Sequence, residues 1–428
     1  MRLLRPPLER LDGGDMLNDL LHPKQLAGLA AAAVFALGAA GCSFEGGPPK
    51  DSGAEASAAQ PSRAAPDSGW HYDYVGASRG ARLTAVTATA ADDAWAVGTV
   101  DGDTGAPRNL VLHYDGHRWA DRRAARGLAE LPMESALLRS SGPENVWLFA
   151  GTETRRFDGK AWRTVPAPYE RTPADAPAAF GLSGPVRGAA VLDADDVWAV
   201  AGSSTARHWD GGSWHDVKLP ASASTLATGP AGDLWAFGAH HVAEHKTQPA
   251  AMRWDGHGWR SLAMPEIHHT LPNTLSEDAV VAQAAVRASD DAWAQVRYDA
   301  SRIGSDGEET PQTEIVMLHW DGHRWSRTAT VPCCTGPMAP DAHGSVLLNG
   351  KLRVTADHGR HRLRRPAPVP GRSSKVTARD RDQALAVTDM TPIPGTRQVM
   401  AVGSITSAPH IQYFFHRPVV ARYTPGAG

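Results

Sequence analysis

The sequence predicts an all-β fold, a single β-propeller of seven four-stranded blades closed by an N-terminal strand that completes the last blade. Three observations predict it. A phrase built on Asp-Gly and ending in Trp occurs five times: HYDGHRW (113–119), RFDGKAW (156–162), HWDGGSW (208–214), RWDGHGW (253–259) and HWDGHRW (319–325). A second phrase precedes each copy: DDAWAVG (92–98), ENVWLFAG (144–151), DDVWAVAG (195–202), GDLWAFG (232–238) and DDAWAQV (290–296). Finally, the 428 residues are 42% hydrophobic, enough for a large core, and beyond one N-terminal apolar run they lack long helical periodicity.

The second phrase alternates small and large residues with period two, as a strand does when one face carries bulk. Trp95, Trp147, Trp198, Trp235 and Trp293 mark this strand in its five copies. Two residues earlier stand Asp93, Asn145, Asp196, Asp233 and Asp291, which favour the turn after the preceding strand, for example LTAVTATA (83–90). The pairs Asp115-Gly116, Asp158-Gly159, Asp210-Gly211, Asp255-Gly256 and Asp321-Gly322 predict two-residue type I′ hairpins, which need positive φ at both positions. That register sets Trp119, Trp162, Trp214, Trp259 and Trp325 opposite Leu112, Arg155, Arg207, Met252 and Leu318, each an aliphatic side chain or an arginine stem. Four strands per unit result.

Two weaker units follow. GSVLLNGKLRVTADHGRHRLRR (344–365) keeps the spacing without the Trp and reads as a degenerate blade, with Leu363 in the Trp position. DQALAVTDM (382–390), QVMAVGSI (398–405) and VVARYTPG (419–426) supply three strands of a last blade. SGWHYDYVG (68–76), with Trp70, supplies its fourth, which removes exposed sheet edges and ties the ends of the ring together.

These repeats resemble the β-propeller superfamily over residues 69–426. They lack the Gly-Gly doublet of kelch repeats and the Gly-His and terminal Trp-Asp of WD repeats. The Asp-Gly phrase is similar to the Asp-box of bacterial sialidases, S-x-D-x-G-x-x-W, except that Asp and Gly are adjacent here. The closest resemblance is to the Trp-Ala-Val-Gly, Trp-Asp-Gly-x-x-Trp propellers found on secreted proteins, lipoproteins among them, of high-GC Gram-positive bacteria.

The N-terminal region reads as delivery. Residues 1–41 read as a signal peptide of lipoprotein type, with an ordinary cleaved signal or an uncleaved anchor as the alternatives: basic Arg2, Arg5, Arg10 and Lys24 precede the apolar run QLAGLAAAAVFALGAAGC (25–42). Its ending resembles a lipobox, with Ala39 where Leu is usual, and this implies lipidation of Cys42. Residues 42–68, rich in Ala, Ser, Pro and Gly, predict a disordered tether spanning about 30 Å, and 69–428 the propeller. The expected address is the outer face of the cytoplasmic membrane, lipid-anchored and extracytoplasmic, with the membrane itself as one partner.

A net charge of −3 and a pI near 6.7 provide no basic field for a phosphate backbone, which argues against nucleic acid as a partner. Cys333 and Cys334 are adjacent, and in an oxidising compartment they predict a vicinal disulfide; an exposed dithiol and a soft-metal contact are the alternatives. In this topology the first-to-second and third-to-fourth strand turns share one face and are short. The other connections share the opposite face and are long and dissimilar, which is where binding belongs. Among them, 238–250 and 264–278 carry His240, His241, His245, His268 and His269 beside Glu244 and Glu266, a weak candidate metal set without a ligand motif. No cofactor is otherwise expected. An acidic stretch, Asp299, Asp306, Glu308 and Glu309, lacks calcium-loop spacing, and neither a phosphate loop nor a nucleophile elbow occurs. The sequence therefore points to a non-catalytic recognition propeller for an extracytoplasmic protein, peptide or envelope glycan. The alternative is a glycan hydrolase or lyase, for which Tyr169, Glu170 and Arg171 are available residues.

Overall fold

The computed structural model describes residues 69–426 apart from 79, 102–107, 123–126, 171–185, 269–273, 304–306, 332–334, 371–374 and 411–412. The signal peptide, Cys42, the tether, His269, Cys333 and Cys334 lie outside the described residues.

After β1 (Gly69–Val75), the strands come in antiparallel groups of four. The first is β2 (Ala81–Ala90), β3 (Asp93–Val100), β4 (Arg108–Tyr114) and β5 (Trp119–Asp121). The second is β6 (Leu137–Gly142), β7 (Asn145–Ala150), β8 (Glu153–Phe157) and β9 (Trp162–Val165). The third is β10 (Gly188–Val191), β11 (Val197–Val200), β12 (Thr205–Trp209) and β13 (Trp214–Lys218). The fourth is β14 (Ser222–Thr228), β15 (Leu234–Ala243), β16 (Lys246–Trp254) and β17 (Trp259–Leu262). The fifth is β18 (Thr274–Ala288), β19 (Asp291–Ile303), β20 (Glu309–Trp320) and β21 (Trp325–Val331). The sixth is β22 (Met338–Pro340), β23 (Val346–Leu348), β24 (Leu352–Val354) and β25 (Arg360–Arg362). The closing group orders β26 (Ala384–Pro392), β27 (Val399–His410), β28 (Tyr413–Thr424) and then β1. Among the described residues helix is confined to two short 3-10 turns.

The fold is an all-β propeller. Five of the groups are separate four-stranded sheets, whereas the fourth and fifth share one eight-stranded sheet, where the sequence predicts seven separate sheets. The cause is a short parallel bridge that pairs Lys246 with Glu277 and Thr247 with Asp278. The first strands of successive groups contact one another in a closed cycle, β2, β6, β10, β14, β18, β22, β26 and back to β2. β1 pairs with β28, Trp70 opposite Tyr423, and Arg422 donates to Asp73 at 2.6 Å across that seam. At the inner seam, Val86 N–H donates to Asp389 Oδ2 at 3.0 Å and Thr388 Oγ1 donates to the Leu83 carbonyl at 2.7 Å.

The hairpins differ from the expected two-residue turns. Trp119, Trp162, Trp214, Trp259 and Trp325 pair with Tyr114, Phe157, Trp209, Trp254 and Trp320, so each loop holds four residues. Asp115 Oδ1 accepts from the backbone N–H groups of His117 and Arg118 at 3.0 and 2.9 Å, and the other four turn aspartates repeat this geometry. With the carboxylate satisfying two turn amides, only the glycine takes positive φ, 86° at Gly116, and a type I′ turn is not needed. The same amides hold the Asp115 carboxyl below its ordinary pKa; at Asp158 and Asp255 the Arg163 and Arg260 side chains contribute most. The consequence of the register is that every hairpin Trp faces an aromatic ring, with centroids 5.4 to 5.9 Å apart.

These ring pairs receive the second-strand Trp of the preceding group. Trp95 meets Phe157 and Trp162 at 4.9 and 5.3 Å, and Trp198 meets Trp254 and Trp259 at 5.0 and 5.5 Å. Trp147 meets Trp209 and Trp214, and Trp235 meets Trp320 and Trp325, at 5.9 to 6.2 Å. Around the remaining interfaces Trp293 clusters with Val346 and Leu348, Leu347 with Trp70 and Tyr423, and Met400 with Trp119 and Tyr114. In the sixth group Val354 pairs with Arg360, so the exposed Arg360 stands in the Trp register; Leu363 lies beyond β25, packed against the Trp70 cluster.

Asp93 and its counterparts do more than favour a turn. Asp93, Asp196 and Asp291 accept from His113, His208 and His319 at 2.7, 2.9 and 3.1 Å, and Asp233 from Arg253 at 2.7 Å. Those histidine rings lie 4.2 to 4.5 Å from Trp95, Trp198 and Trp293, and the Arg253 guanidinium lies over Trp235. Asn145 instead accepts from the Trp147 indole N–H at 2.9 Å. Each such group pins a core Trp to the strand beside it.

The glycine of Trp-Ala-Val-Gly has its own cause. β2 bulges between Leu83 and Ala85, and a Cβ on Gly98 would lie 2.0 Å from the Arg82 carbonyl oxygen; Gly238 and Gly403 face β14 and β26 in the same way. Gly98→Ala is therefore expected to destabilise the protein by about 1–3 kcal/mol through overpacking against backbone. Equilibrium urea unfolding checks this, with Gly142→Ala, where nothing stands within 4 Å, as the silent control.

Candidate recognition face

Of the segments that the sequence presents as long loops, 238–250 and 297–314 are largely strand, and 264–278 is strand from Thr274. β15 has 10 residues, β18 15, β19 13 and β20 12, while β10 and β11 have 4 each. At about 3.3 Å per residue, β18 runs for roughly 50 Å against about 13 Å for β10. The excess lies on the edge where second-to-third strand connections emerge. β15 with β16, and β18 with β19 and β20, thus continue past the ring as one sheet, joined by the parallel bridge at Lys246–Thr247.

A buried polar cluster holds this extension together. Glu277, 4% exposed, accepts from the Tyr298 hydroxyl at 2.8 Å and lies 3.3 Å from Lys246 Nζ. Its backbone N–H donates to the His245 carbonyl at 3.0 Å. Burial opposes ionisation of Glu277, but Tyr298, Lys246 and His268 together outweigh it, and its carboxyl sits below the ordinary value. Gln248, also buried, uses both ends of its amide on the backbone of Ile267, at 2.8 and 3.1 Å, and so fixes the connection leading into β18. Thr247 Oγ1 donates to Asp278 Oδ1 at 2.9 Å.

The candidate metal residues are not brought together. His240 and His241 are exposed neighbours on β15, opposite Gln248 and Thr247, so their side chains leave opposite faces of the strand. His245 stands at the exposed hairpin tip, 3.6 Å from Glu244 Oε1. His268 pairs with Glu266 at 3.0 Å and lies 3.7 Å from Glu277. Among the described residues there is no group of three or more His, Cys, Asp or Glu placed to hold a metal ion. Asp299 pairs with Arg297 and Thr313 at 2.7 and 2.6 Å, and Tyr169 is buried with its hydroxyl on the carbonyls of Ala199 and Thr205. Neither serves an open site.

Sequence reasoning missed Glu277, Gln248 and Tyr298. Glu277 has the parity of buried Ala279 and Val281, so a carboxylate continuing a core face was a readable signal once the segment is taken as strand. Val242 and Leu275, 48% and 51% exposed, stand on the extension; with Val376 they are the large apolar side chains left open among the described residues.

No protein-family model matches this chain, and no curated protein matches it. Among solved structures it is similar to YCF48 bound to D1 peptide, at 11% identity and a TM-score of 0.45, covering 84% of this chain and 98% of that one. It is similar also to YCF48 from Cyanidioschyzon merolae (12%, TM-score 0.40, 83% and 98% covered) and to a protein of unknown function from Dyadobacter fermentans (12%, 0.38, 83% and 98%). Likenesses this distant carry no argument about ligand or activity, and the fold rests on the strand pairing described above.

Because the folded pKa of Glu277 is depressed, its stabilisation is present above the unfolded carboxyl value of about 4.3 and is lost as pH falls through the folded value. Glu277→Gln is expected to cost about 1–3 kcal/mol at pH 7. Thermal melts between pH 7 and pH 3 should show the difference from wild type shrinking as the acid end is approached.

Proposed function

We propose that this chain is a cell-surface-anchored, non-catalytic recognition propeller. Residues 1–41 direct export, a diacylglycerol on Cys42 anchors the chain, and the tether at 42–68 holds the ring clear of the membrane. Counting β14–β17 and β18–β21 as one blade each makes seven blades, the last completed by β1. The partner is an extracytoplasmic protein, peptide or envelope glycan, met on the face carrying the second-to-third and fourth-to-first strand connections.

The observation that carries this reading is the extended sheet of β15, β16 and β18–β20. It is held by buried polar contacts yet leaves Val242 and Leu275 exposed on a scaffold whose ring needs neither. A protein or peptide suits such a surface better than a glycan, because paired strands offer fixed apolar contacts. The glycan hydrolase or lyase reading has no such support: Tyr169, one of its residues, is engaged in packing.

Fractionation and crosslinking of producing cells test both halves. Cys42→Ala is expected to move the protein from membranes to the soluble fraction. Val242→Asp with Leu275→Asp is expected to lower partner crosslinking at least about tenfold, the equivalent of ~1.4 kcal/mol, without shifting the melting temperature. Membrane retention would remove the lipid anchor from this account, and unchanged crosslinking would remove the recognition sheet.

A further inference from the structure

A second feature lies between the sixth and closing groups. All four strands of the sixth group are three residues long, so they leave much of the neighbouring face of the closing sheet uncovered. The chain after β25 covers it as a strap. Leu363 N–H donates to the Lys351 carbonyl at 2.8 Å, and Leu363 and Val369 pack against the cluster that contains Trp70 and Tyr72. Gln383 clamps Val369 from both sides of the peptide, at 2.6 and 3.1 Å, and Arg417 donates to the Pro370 carbonyl at 3.0 Å.

Strap and sheet enclose a cavity of about 230 Å³. Among the described residues, Tyr72, Pro366, Pro368, Gln383 and Leu385 line it together with Arg365 and Arg381, and no carboxylate does. Both arginines are exposed, and neither guanidinium makes an ion pair or hydrogen bond to a described residue. Tyr72 is only 8% exposed, and its hydroxyl likewise has no hydrogen-bond partner among the described residues; burial pushes its pKa up to about 12. Two guanidinium groups and a hydroxyl thus line one cavity, with no carboxylate among its described lining to balance the charge, which favours an anion there. Planar guanidinium groups match oxyanions, and the proline and leucine walls suit an apolar body.

We propose that this cavity binds a small organic anion, an oxyanion head on a short apolar body. Arg365 and Arg381 pair with the head, the Tyr72 hydroxyl donates to it, and Pro366, Pro368 and Leu385 receive the body. The site uses none of the strands of the recognition sheet, so its test is independent of that reading.

Titration calorimetry on the full chain with benzoate, phenyl phosphate and neutral benzyl alcohol tests the assignment. Saturable binding of at least one anion and none of the alcohol is expected; whichever anion binds identifies the head as carboxylate, phosphate or either. Arg365→Ala and Arg381→Ala should each weaken binding about tenfold or more, and Tyr72→Phe about threefold, with melting temperatures kept as the folding control. Arg302→Ala, on β19, should change nothing. Absence of saturable binding by either anion, or affinity indifferent to both arginine substitutions in folded protein, overturns the proposal.

Discussion

Four successive interfaces of the ring depend on one repeated contact, the insertion of a second-strand Trp into the aromatic pair on the outer hairpin of the next group. A four-stranded antiparallel group has two faces and cannot bury both alone. Here the indole of one group and the ring pair of the next close that gap, each aromatic contact adding about 0.5–1.5 kcal/mol beyond its burial. Trp95 with Phe157 and Trp162 is one instance, and Trp198 with Trp254 and Trp259 another. The other repeated features serve this contact. The turn aspartate sets the four-residue loop that puts a ring opposite the hairpin Trp, while Asp93 and its counterparts fix the histidine or arginine that lies against the inserted indole.

Because these nests fix the first five groups to one another, the edge where connections are long is released from any role in holding them together. The fourth and fifth groups use that freedom to extend β15, β16 and β18–β20 and to join them at Lys246 and Glu277. The sixth group uses it differently. With strands of three residues and no aromatic pair, it leaves the closing sheet to be covered by the Leu363–Pro370 strap, and a cationic cavity results. Both candidate sites therefore arise where the repeat departs from its own pattern.

Much of this was legible in the sequence. The alternation around each Trp marks strands, the Asp-Gly phrases mark hairpins, and Trp70 set against an unfinished last unit indicates that β1 joins β28. What was misread has a local cause. Asp-Gly suggested a turn with two positive-φ residues, but the aspartate accepts two turn amides and needs no such conformation, which shifts the register by two residues. The ring at Tyr114, Phe157, Trp209, Trp254 and Trp320 was visible as an aromatic in every copy, immediately before the Asp. The extended sheet was less readable, because His, Glu and Pro in 238–250 and 264–278 resemble loop composition, and the pairing that makes strand of 238–243, 246–250 and 274–278 is supplied by distant partners such as Glu277 for Lys246 and Tyr298 for Ala279.

The claim that adjacent groups are held by inserted tryptophan is tested most directly by a double-mutant cycle on Trp95 and Trp162, whose ring centroids lie 5.3 Å apart in a T-shaped arrangement. Urea unfolding of Trp95→Leu, Trp162→Leu and the double variant gives their coupling energy. The account predicts a favourable coupling of about 0.5–1.5 kcal/mol. Additive effects of the two substitutions would contradict it and leave the ring to be held by undirected burial alone.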